Sequence, residues 1–510
     1  MKKIIKFIKS RYTIAILMMV AEIAGIIVFF TVLAYFVPLL WVGASITSFV
    51  AFVCIINMDM NPEYKIPWIS IVLLFPPIGA LFFALFHERR MNRKETKHLA
   101  KLIESLKRLD RDKKCLVSLE KEDRNAYGKV LSLRNNDKYA DVFENTNSEY
   151  FPLGEDMFKR MLTDMKKAKE FIFLEYFIVE IGFMWNSMLD ILKEKAREGV
   201  EIRMLYDDIG CMETLPQDYA EYLREYNIRC YCFSKLTGDA SPIHNNRDHR
   251  KIMVIDGRVG YTGGINLADE YINYIDRFGH WKDGGIRLEG KAVSSLTKLF
   301  LFNWDLNLKT ISDYDKYLEY KGEEIESEGY YIPFGSGPAP LYRTSVGKDV
   351  FLNIINQAKE YVYITTPYLI IDSELTNALK NAATRNVDVS IITPHIPDKK
   401  LIQLLTRSVY QILMQAGVKI YEYTPGFIHN KNVLSDDIYG VVGTINFDYR
   451  SLVHHYENAV WMYKTTALSD MKRDFIETFA VSEEMNIKKA KMTLTQKALK
   501  AGISLFAPLL

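Results

Sequence analysis

The stretch NRDHRKIMVIDGRVGYTGGIN at residues 246–266 contains a pattern that returns later in the chain, as GFIHNKNVLSDDIYGVVGTIN at residues 426–446. Both stretches follow H-x-K-x4-D-x6-G-x-x-N with the same spacing. Two occurrences of so specific a string exclude a chance match. The candidate site residues are therefore His249, Lys251, Asp256 and Asn266 from the first string, and His429, Lys431, Asp436 and Asn446 from the second.

The residue types in this string point to phosphate chemistry. A histidine and a lysine two positions apart face the same side of a strand, which places an imidazole beside a cation. Lysine is not a usual metal ligand and its charge repels a metal ion, so the pattern predicts neither a metal nor a cofactor. Two lysines, two histidines and the asparagine amides can instead surround one phosphate group.

A pair of imidazoles also suggests how such a phosphate would react. One imidazole can attack phosphorus to give a phosphohistidine, and the other can protonate the leaving alkoxide. The two strings are therefore predicted to form a single active site where two repeats meet. Asp256 and Asp436 are expected either to orient a histidine or to balance charge there.

Sequence similarity extends beyond the two strings and predicts an α/β fold. AKEFIFLEYFIV at residues 168–179 resembles AKEYVYITTPYLI at residues 358–370, and both read as buried strands. In each copy a helical pattern and an alternating strand follow, then a second helix and strand. We predict two tandem α/β repeats related by a pseudo-twofold axis, each with a mainly parallel sheet. The repeats are assigned to residues 151–328 and 329–510.

The N-terminal region differs sharply in composition from the repeats. Thr13–Phe36, Leu39–Asn57 and Ile66–Phe86 are apolar runs, each long enough to approach a bilayer span. Residues 1–90 are therefore predicted to be a multi-pass membrane region. Pro76-Pro77 interrupts the third run, so the number of full spans is either two or three. Basic residues flank the region on both sides, at Lys2, Lys3, Lys6, Lys9 and Arg11 and again at Arg89, Arg90, Arg93, Lys94, Lys97 and Lys101.

The distribution of positive charge favours a cytoplasmic location for the two repeats. Residues 91–150 are predicted to be a polar linker with one amphipathic helix near Glu95–Leu109. The basic face of this helix either lies against anionic lipid headgroups or is simply solvated.

Composition excludes two broad classes of protein. The formal charge of +2 lacks the basic excess of a general nucleic-acid binder. A hydrophobic content of 49% excludes a disordered chain. The five cysteines show no repeated metal-type spacing, which fits a reducing compartment.

The doubled string resembles the signature of the phospholipase D superfamily, and other stretches are similar to bacterial cardiolipin synthases. These stretches are RMLYDDIG at residues 203–210, HWKDGGIRLEGKAV at 280–293, TTPYLIIDSEL at 365–375, QAGVKIYEYTPGFIHNKN at 415–432, GTINFDYRSLVHHYENAV at 443–460 and the terminal APLL. Thr444 departs from the expected serine but keeps a hydroxyl.

The resemblance implies transfer of a phosphatidyl group from one phosphatidylglycerol to another, giving cardiolipin and glycerol. It also implies His249 as nucleophile and His429 as general acid, with phosphatidylglycerol and anionic membrane lipids as partners. Two enzymatic alternatives stay open, a hydrolytic phospholipase D and a transferase that uses another alcohol. A catalytically idle lipid-binding scaffold is disfavoured because both strings are complete.

The loop before the first string suggests where the two halves of the site differ. Ser234–Asp248 is longer than its counterpart before the second string, Thr424–Ile428. Loops on a rigid scaffold often carry specificity. Ser234–Asp248 is therefore either an acceptor-side element or an ordinary surface loop.

Overall fold

The computed structural model of the protein describes residues 11–36, 38–58, 61–86, 93–107, 114–137, 140–235 and 246–506. The chain divides into two units, one built from residues 1–90, 235–246 and 501–510 and the other from residues 91–234 and 247–500. Several sequence features lie outside the described residues: the basic residues at positions 2–9 and 89–90, the loop at 236–245 and the terminal APLL.

The N-terminal part of the first unit is helical. Ile55, Trp68, Val72 and Phe83 form a small buried cluster among these helices. The third apolar run is divided around Pro76-Pro77, as the sequence predicts, because proline interrupts helical hydrogen bonding. The helices are α1 (Arg11–Phe36), α2 (Pro38–Asn57), α3 (Pro62–Leu74) and α4 (Ile78–Phe86). Across the described residues, none of the helices has the combination of length and apolar character that crossing a membrane requires.

The predicted linker is largely folded into the second unit. It contains α5 (Arg93–Lys107), α6 (Lys114–Glu122) and α7 (Arg124–Asn136). The amphipathic helix is present as α5, and its leucines join a hydrophobic cluster of the second unit. The apolar face of α5 therefore serves packing, and His98 Nε2 lies 2.9 Å from the carbonyl oxygen of Asp305.

The first repeat forms a seven-stranded sheet in the order β1-β8-β6-β5-β2-β3-β4. Its strands are β1 (Thr146–Phe151), β2 (Phe171–Tyr176), β3 (Glu201–Asp207), β4 (Ile228–Phe233), β5 (Ile252–Ile255), β6 (Val259–Gly263) and β8 (Gly285–Gly290). Its helices are α8 (Gly154–Met165), α9 (Phe183–Arg197), α10 (Tyr219–Arg224), α11 (Val293–Leu308) and α12 (Tyr314–Leu318).

The second repeat forms an eight-stranded sheet in the order β19-β13-β12-β10-β15-β16-β18-β9. Its strands are β9 (Tyr330–Ser336), β10 (Tyr361–Thr365), β12 (Asp388–Pro394), β13 (Lys419–Tyr423), β15 (Asn432–Ser435), β16 (Tyr439–Gly443), β18 (Glu457–Tyr463) and β19 (Ser482–Glu484). Its helices are α13 (Val346–Gln357), α14 (Ser373–Thr384), α15 (Lys400–Met414), α16 (Ala467–Ala480) and α17 (Leu494–Phe506).

The two sheets confirm the α/β class but correct the prediction of mainly parallel sheets. Only β2-β3-β4 and β10-β12-β13 are parallel, whereas the motif strands pair antiparallel on the other side of β2 and β10. The reason is the short turn between β5 and β6 and between β15 and β16, which makes each motif a hairpin. A tight turn joins antiparallel strands and cannot make a parallel crossover.

The two sheets face each other across one hydrophobic cluster. Phe173 and Val254 of the first sheet share this cluster with Leu434 and Val460 of the second. A short parallel pair, β7 (His280–Lys282) with β14 (Gly426–Ile428), also joins the repeats. A further two-stranded pair, β11 (Leu369–Ile370) with β17 (Phe447–Asp448), lies within the second repeat. These contacts bring the two strings together.

Candidate active site

Each motif histidine is held in place by the backbone of the other repeat. The His249 amide donates to the carbonyl of Tyr456 at 2.9 Å, and the His429 amide donates to the carbonyl of Lys282 at 2.8 Å. Both histidines stand just before a motif strand, since β5 begins at Ile252 and β15 at Asn432. The histidines are buried, which shields their reactions from water.

The two histidines are oriented by carboxylates that also come from the opposite repeat. His249 Nδ1 lies 3.0 Å from the carboxylate oxygens of Glu457. His429 Nδ1 lies 2.6 Å from Asp283 Oδ2. Because a carboxylate accepts the Nδ1 proton, the Nε2 atom of each ring is left to face the reacting group. The crossed pairs form one candidate site to which both repeats contribute.

Hydroxyl groups hold the Glu457 carboxylate in position. Ser451 Oγ donates to Glu457 Oε1 at 2.5 Å, and Thr444 Oγ1 donates to Glu457 Oε2. The threonine that departs from the expected serine therefore retains the hydrogen bond. Glu457 and Asp283 were missed by the sequence analysis, although both lie in stretches that carry the family resemblance.

The motif lysines are buried beside the histidines. Lys251 Nζ donates to the carbonyl of His249 at 2.8 Å, and Lys431 Nζ donates to the carbonyl of His429. Burial lowers the pKa of Lys251 to about 8 and that of Lys431 to about 7. A bound anion would favour the charged form of both lysines, so the site is suited to a phosphate.

The same burial favours the neutral form of both histidines. Burial, followed by the charges of Lys251 and Lys431, lowers the pKa of His249 well below its usual value. Burial and Lys431 lower the pKa of His429 to about 4, although Asp283 opposes the shift. A neutral imidazole is the nucleophilic form, because protonation would occupy the attacking lone pair.

The asparagines of the two strings occupy different environments. Asn266 Oδ1 accepts from the amide of Ile178 at 3.0 Å, and its Nδ2 donates to the hydroxyl of Tyr271 at 2.7 Å. Asn446 Oδ1 is buried without a hydrogen-bond partner among the described residues. The predicted pair of substrate-binding amides is therefore not symmetric, and Asn266 has a clear structural role.

The structure does not bring Asp256 and Asp436, predicted as catalytic, to the histidines. Asp256 accepts from the amides of residues 169–171 at 2.7–2.9 Å, and Asp436 accepts from those of residues 359–361 at 2.9 Å. Each aspartate directly follows its motif strand, whereas the histidine stands three residues before it, so the four strand residues alone separate the two by roughly 13 Å. These carboxylates fix the starts of β2 and β10, and they do not orient a histidine.

The different positions of Asp256 and Glu457 predict opposite outcomes for two substitutions. Asp256→Ala removes hydrogen bonds to a charged acceptor and should destabilise the fold by about 1.5–3 kcal/mol. Folded Asp256→Ala enzyme should keep its turnover. Glu457→Gln should instead reduce turnover by about 10^2- to 10^4-fold, because the amide can donate to Nδ1 and favour the wrong tautomer. Thermal unfolding and turnover measured on both variants test the assignment, and a turnover loss confined to Asp256→Ala would contradict it.

One group of side chains lies close enough together to be considered as a metal site. His249, His455 and Glu457 place ligand atoms within 4.8 Å of one another. Glu457 already accepts from two hydroxyls and from His249, and two lysine ammonium groups lie close enough to shift the pKa of His249. These contacts do not suit a divalent cation, whereas an anion fits the same charges.

The fold and site define a two-histidine enzyme of the phospholipase D superfamily. A family profile described as "Cardiolipin synthase, PLD-like domain" matches residues 161–276 and 351–479, and one described as "Phospholipase_D-nuclease N-terminal" matches residues 46–86. The chain belongs to the cardiolipin synthase family, whose members are phosphatidyltransferases of the phospholipase D type. The family resemblance seen in the sequence is thereby confirmed.

Individual relatives show how far the similarity extends. Cardiolipin synthase 1 of Bacillus cereus is 31% identical, with 97% of this chain and 99% of the relative covered. An uncharacterized protein of Streptococcus mutans is 43% identical, with 89% of this chain and 98% of the relative covered. The crystal structure of phosphatidylserine synthase from Haemophilus influenzae matches with a TM-score of 0.56 at 14% identity. It covers 76% of this chain and 98% of that chain, and supports the fold.

Proposed function

We propose that the protein transfers a phosphatidyl group from one phosphatidylglycerol to the hydroxyl of a second, releasing glycerol and forming cardiolipin. The observation that carries the proposal is the single centre in which two crossed histidine–carboxylate pairs meet two lysines. Membership of the cardiolipin synthase family supports the choice of substrates. One phosphodiester is exchanged for another, so the reaction needs no net redox change.

The first half-reaction uses His249 as nucleophile. Its Nε2 atom attacks phosphorus, a nitrogen–phosphorus bond forms, and the bond from phosphorus to the glycerol oxygen breaks. His429 donates a proton to the departing oxygen, and Lys251 and Lys431 stabilise the charge on the phosphoryl oxygens. In the second half-reaction a hydroxyl of another phosphatidylglycerol attacks phosphorus and gives its proton to His429. A new oxygen–phosphorus bond forms and the nitrogen–phosphorus bond to His249 breaks.

The role of His429 requires proton uptake when the substrate binds. With a pKa of about 4, His429 is neutral at neutral pH before a substrate binds. The phosphodiester brings a negative charge next to the ring, which raises the pKa of the imidazole. Asp283 at 2.6 Å stabilises the resulting imidazolium. The enzyme is thus set for catalysis only when the anionic substrate is present.

The ionisation of the two motif lysines predicts how kcat/KM changes at high pH. A lysine whose pKa is lowered to about 7 or 8 is charged below that pH and neutral above it. Because the neutral amine no longer attracts phosphate, kcat/KM should fall as pH rises above about 7–8. The pH profile of kcat/KM, measured from pH 5 to 10 on the full chain, checks this. A profile that stays flat to pH 10 would contradict an anion site built from these lysines.

We also propose that the N-terminal region attaches the enzyme to the cell membrane as a multi-pass segment, with the repeats in the cytoplasm. The three apolar runs and the flanking basic residues support this arrangement. Lipid substrates would then reach the site from the bilayer side, and anionic lipids would be its partners. A nucleic-acid partner is not part of the proposal, given the formal charge of +2.

Product analysis tests the proposed reaction. The full chain in lipid vesicles is given phosphatidylglycerol as the sole phospholipid substrate, and lipids and water-soluble products are separated. Cardiolipin and glycerol in equal amounts are the expected products. Phosphatidic acid without cardiolipin would identify a hydrolytic phospholipase D instead. Transfer of the phosphatidyl group to another added alcohol, without formation of cardiolipin, would identify a different phosphatidyltransferase.

A further inference from the structure

An aromatic wall of three rings surrounds His429, whereas the His249 ring is flanked by Phe177 and His455, with ring centroids 5.1 and 5.5 Å away. The ring centroids of Trp281, Tyr271 and Phe427 lie 5.6, 5.5 and 5.7 Å from the His429 ring. Trp281 and Phe427 are brought together by the pairing of β7 with β14, and their ring centroids are 4.8 Å apart. The side of the site next to His429 is therefore mostly apolar.

One polar group in this wall has no partner. The indole Nε1 of Trp281 is buried and makes no hydrogen bond to any described residue. Leaving a buried donor unsatisfied is costly, so a ligand that supplies an acceptor at this position would be favoured. The residue is also rigidly held, because its backbone amide donates to Asn273 Oδ1 at 2.7 Å and its carbonyl accepts from Asn273 Nδ2 at 2.9 Å.

The geometry of in-line displacement indicates which part of the substrate lies near this donor. In-line displacement at phosphorus places the leaving oxygen opposite the attacking nitrogen. With His249 as nucleophile, as in the proposed function on which this inference rests, the leaving alcohol lies on the His429 side. The incoming alcohol must occupy the same place in the second half-reaction. The alcohol and the Trp281 ring, whose centroid lies 5.6 Å from that of His429, are therefore on the same side of the phosphate.

We propose that Trp281 Nε1 donates a hydrogen bond to a second hydroxyl of the substrate alcohol, and so selects a neutral polyol such as a glycerol headgroup. Water has no second hydroxyl to reach the indole, so it binds less well than glycerol beside the phosphohistidine. A cationic amino alcohol also fits poorly, since an N–H donor repels an ammonium group. Trp281 is thus an alcohol-specificity residue on the His429 side.

The other side of the site offers a matched control. His455 is buried next to His249, with ring centroids 5.5 Å apart, and neither of its ring nitrogens has a hydrogen-bond partner among the described residues. It resembles Trp281 in burial and in lacking a hydrogen bond, but its Nδ1 lies 3.7 Å from Glu457 Oε1, on the nucleophile side. Replacing His455 should affect the binding of the phosphatidyl group and not the choice between alcohol and water.

The test measures how the phosphatidyl-enzyme divides between glycerol and water. The full chain is incubated with phosphatidylglycerol and radiolabelled glycerol, and labelled phosphatidylglycerol is compared with phosphatidic acid. This ratio does not depend on how much of a variant is folded. Trp281→Phe should lower the ratio about fivefold, the effect of one net hydrogen bond, whereas His455→Phe should leave it unchanged.

Other outcomes would overturn the inference. An unchanged ratio in Trp281→Phe would show that the indole N–H does not contact the alcohol. A fall in His455→Phe alone would place the alcohol on the His249 side. Preference of the wild-type enzyme for added ethanolamine over glycerol would contradict selection of a neutral polyol. If the wild-type enzyme makes cardiolipin, these results leave the proposed function intact, whereas wild-type release of phosphatidic acid alone would contradict both.

Discussion

His249→Ala should reduce turnover by about 10^4-fold or more, because the variant has no group that can form the covalent intermediate. His429→Ala should also be slow on phosphatidylglycerol, whose glycerol oxygen needs a proton to leave. The two variants should differ in activity on a p-nitrophenyl phosphodiester, since p-nitrophenolate can leave without being protonated by a general acid. His429→Ala should then release a burst of p-nitrophenol, and His249→Ala should release none.

A third histidine provides the control for this comparison. His395 is partly exposed and lies 3.2 Å from Glu422, in the second repeat but outside both motif strings. His395→Ala should keep turnover on both substrates. A burst from His249→Ala that is absent in His429→Ala would reverse the assigned roles, and bursts in both variants would show that the covalent intermediate does not require His249.

Lys251→Ala and Lys431→Ala should each lower kcat/KM by about 10^2- to 10^3-fold, the effect of removing one preorganised charge from a transition state. Their ammonium groups are buried beside the two histidine carbonyls, so water cannot replace them well. Arginine should rescue poorly, because its planar fork does not reproduce a compact charge next to a tetrahedral anion.

Lys380→Ala is a suitable comparison for these lysine variants, since this residue lies on α14, away from the motif strings. Steady-state kinetics on phosphatidylglycerol in mixed micelles, with thermal unfolding to confirm folding, gives the required values. Near wild-type kcat/KM in either motif variant would contradict a phosphate site formed by both lysines.

The parts of the site that sequence predicted are those determined within one string. His249 and Lys251 stand two residues apart, and so do His429 and Lys431, so their proximity follows from local geometry alone. The doubling of the string also predicted that two repeats would share one site. Both inferences needed no knowledge of how distant segments pack.

The parts that sequence missed depend on contacts between repeats. Glu457 and Asp283 reach the histidines only because the two repeats pack together and the backbone of each holds the histidine of the other, which no spacing along the chain reveals. Asp256 was assigned to the site because it shares the string, but the strand between it and His249 separates them. The mixed sheets were likewise hidden, because the apolar pattern of a buried strand does not show its direction.

The most direct test of the account is to trap the phosphatidyl-enzyme and identify the modified residue. Full-length enzyme is mixed with phosphatidylglycerol carrying a labelled phosphate, quenched in alkali to preserve phosphohistidine, digested and analysed by mass spectrometry. Label is expected on the peptide that contains His249, formed and lost at rates consistent with turnover. Label on His429 alone, or cardiolipin formation without any labelled histidine, would contradict it.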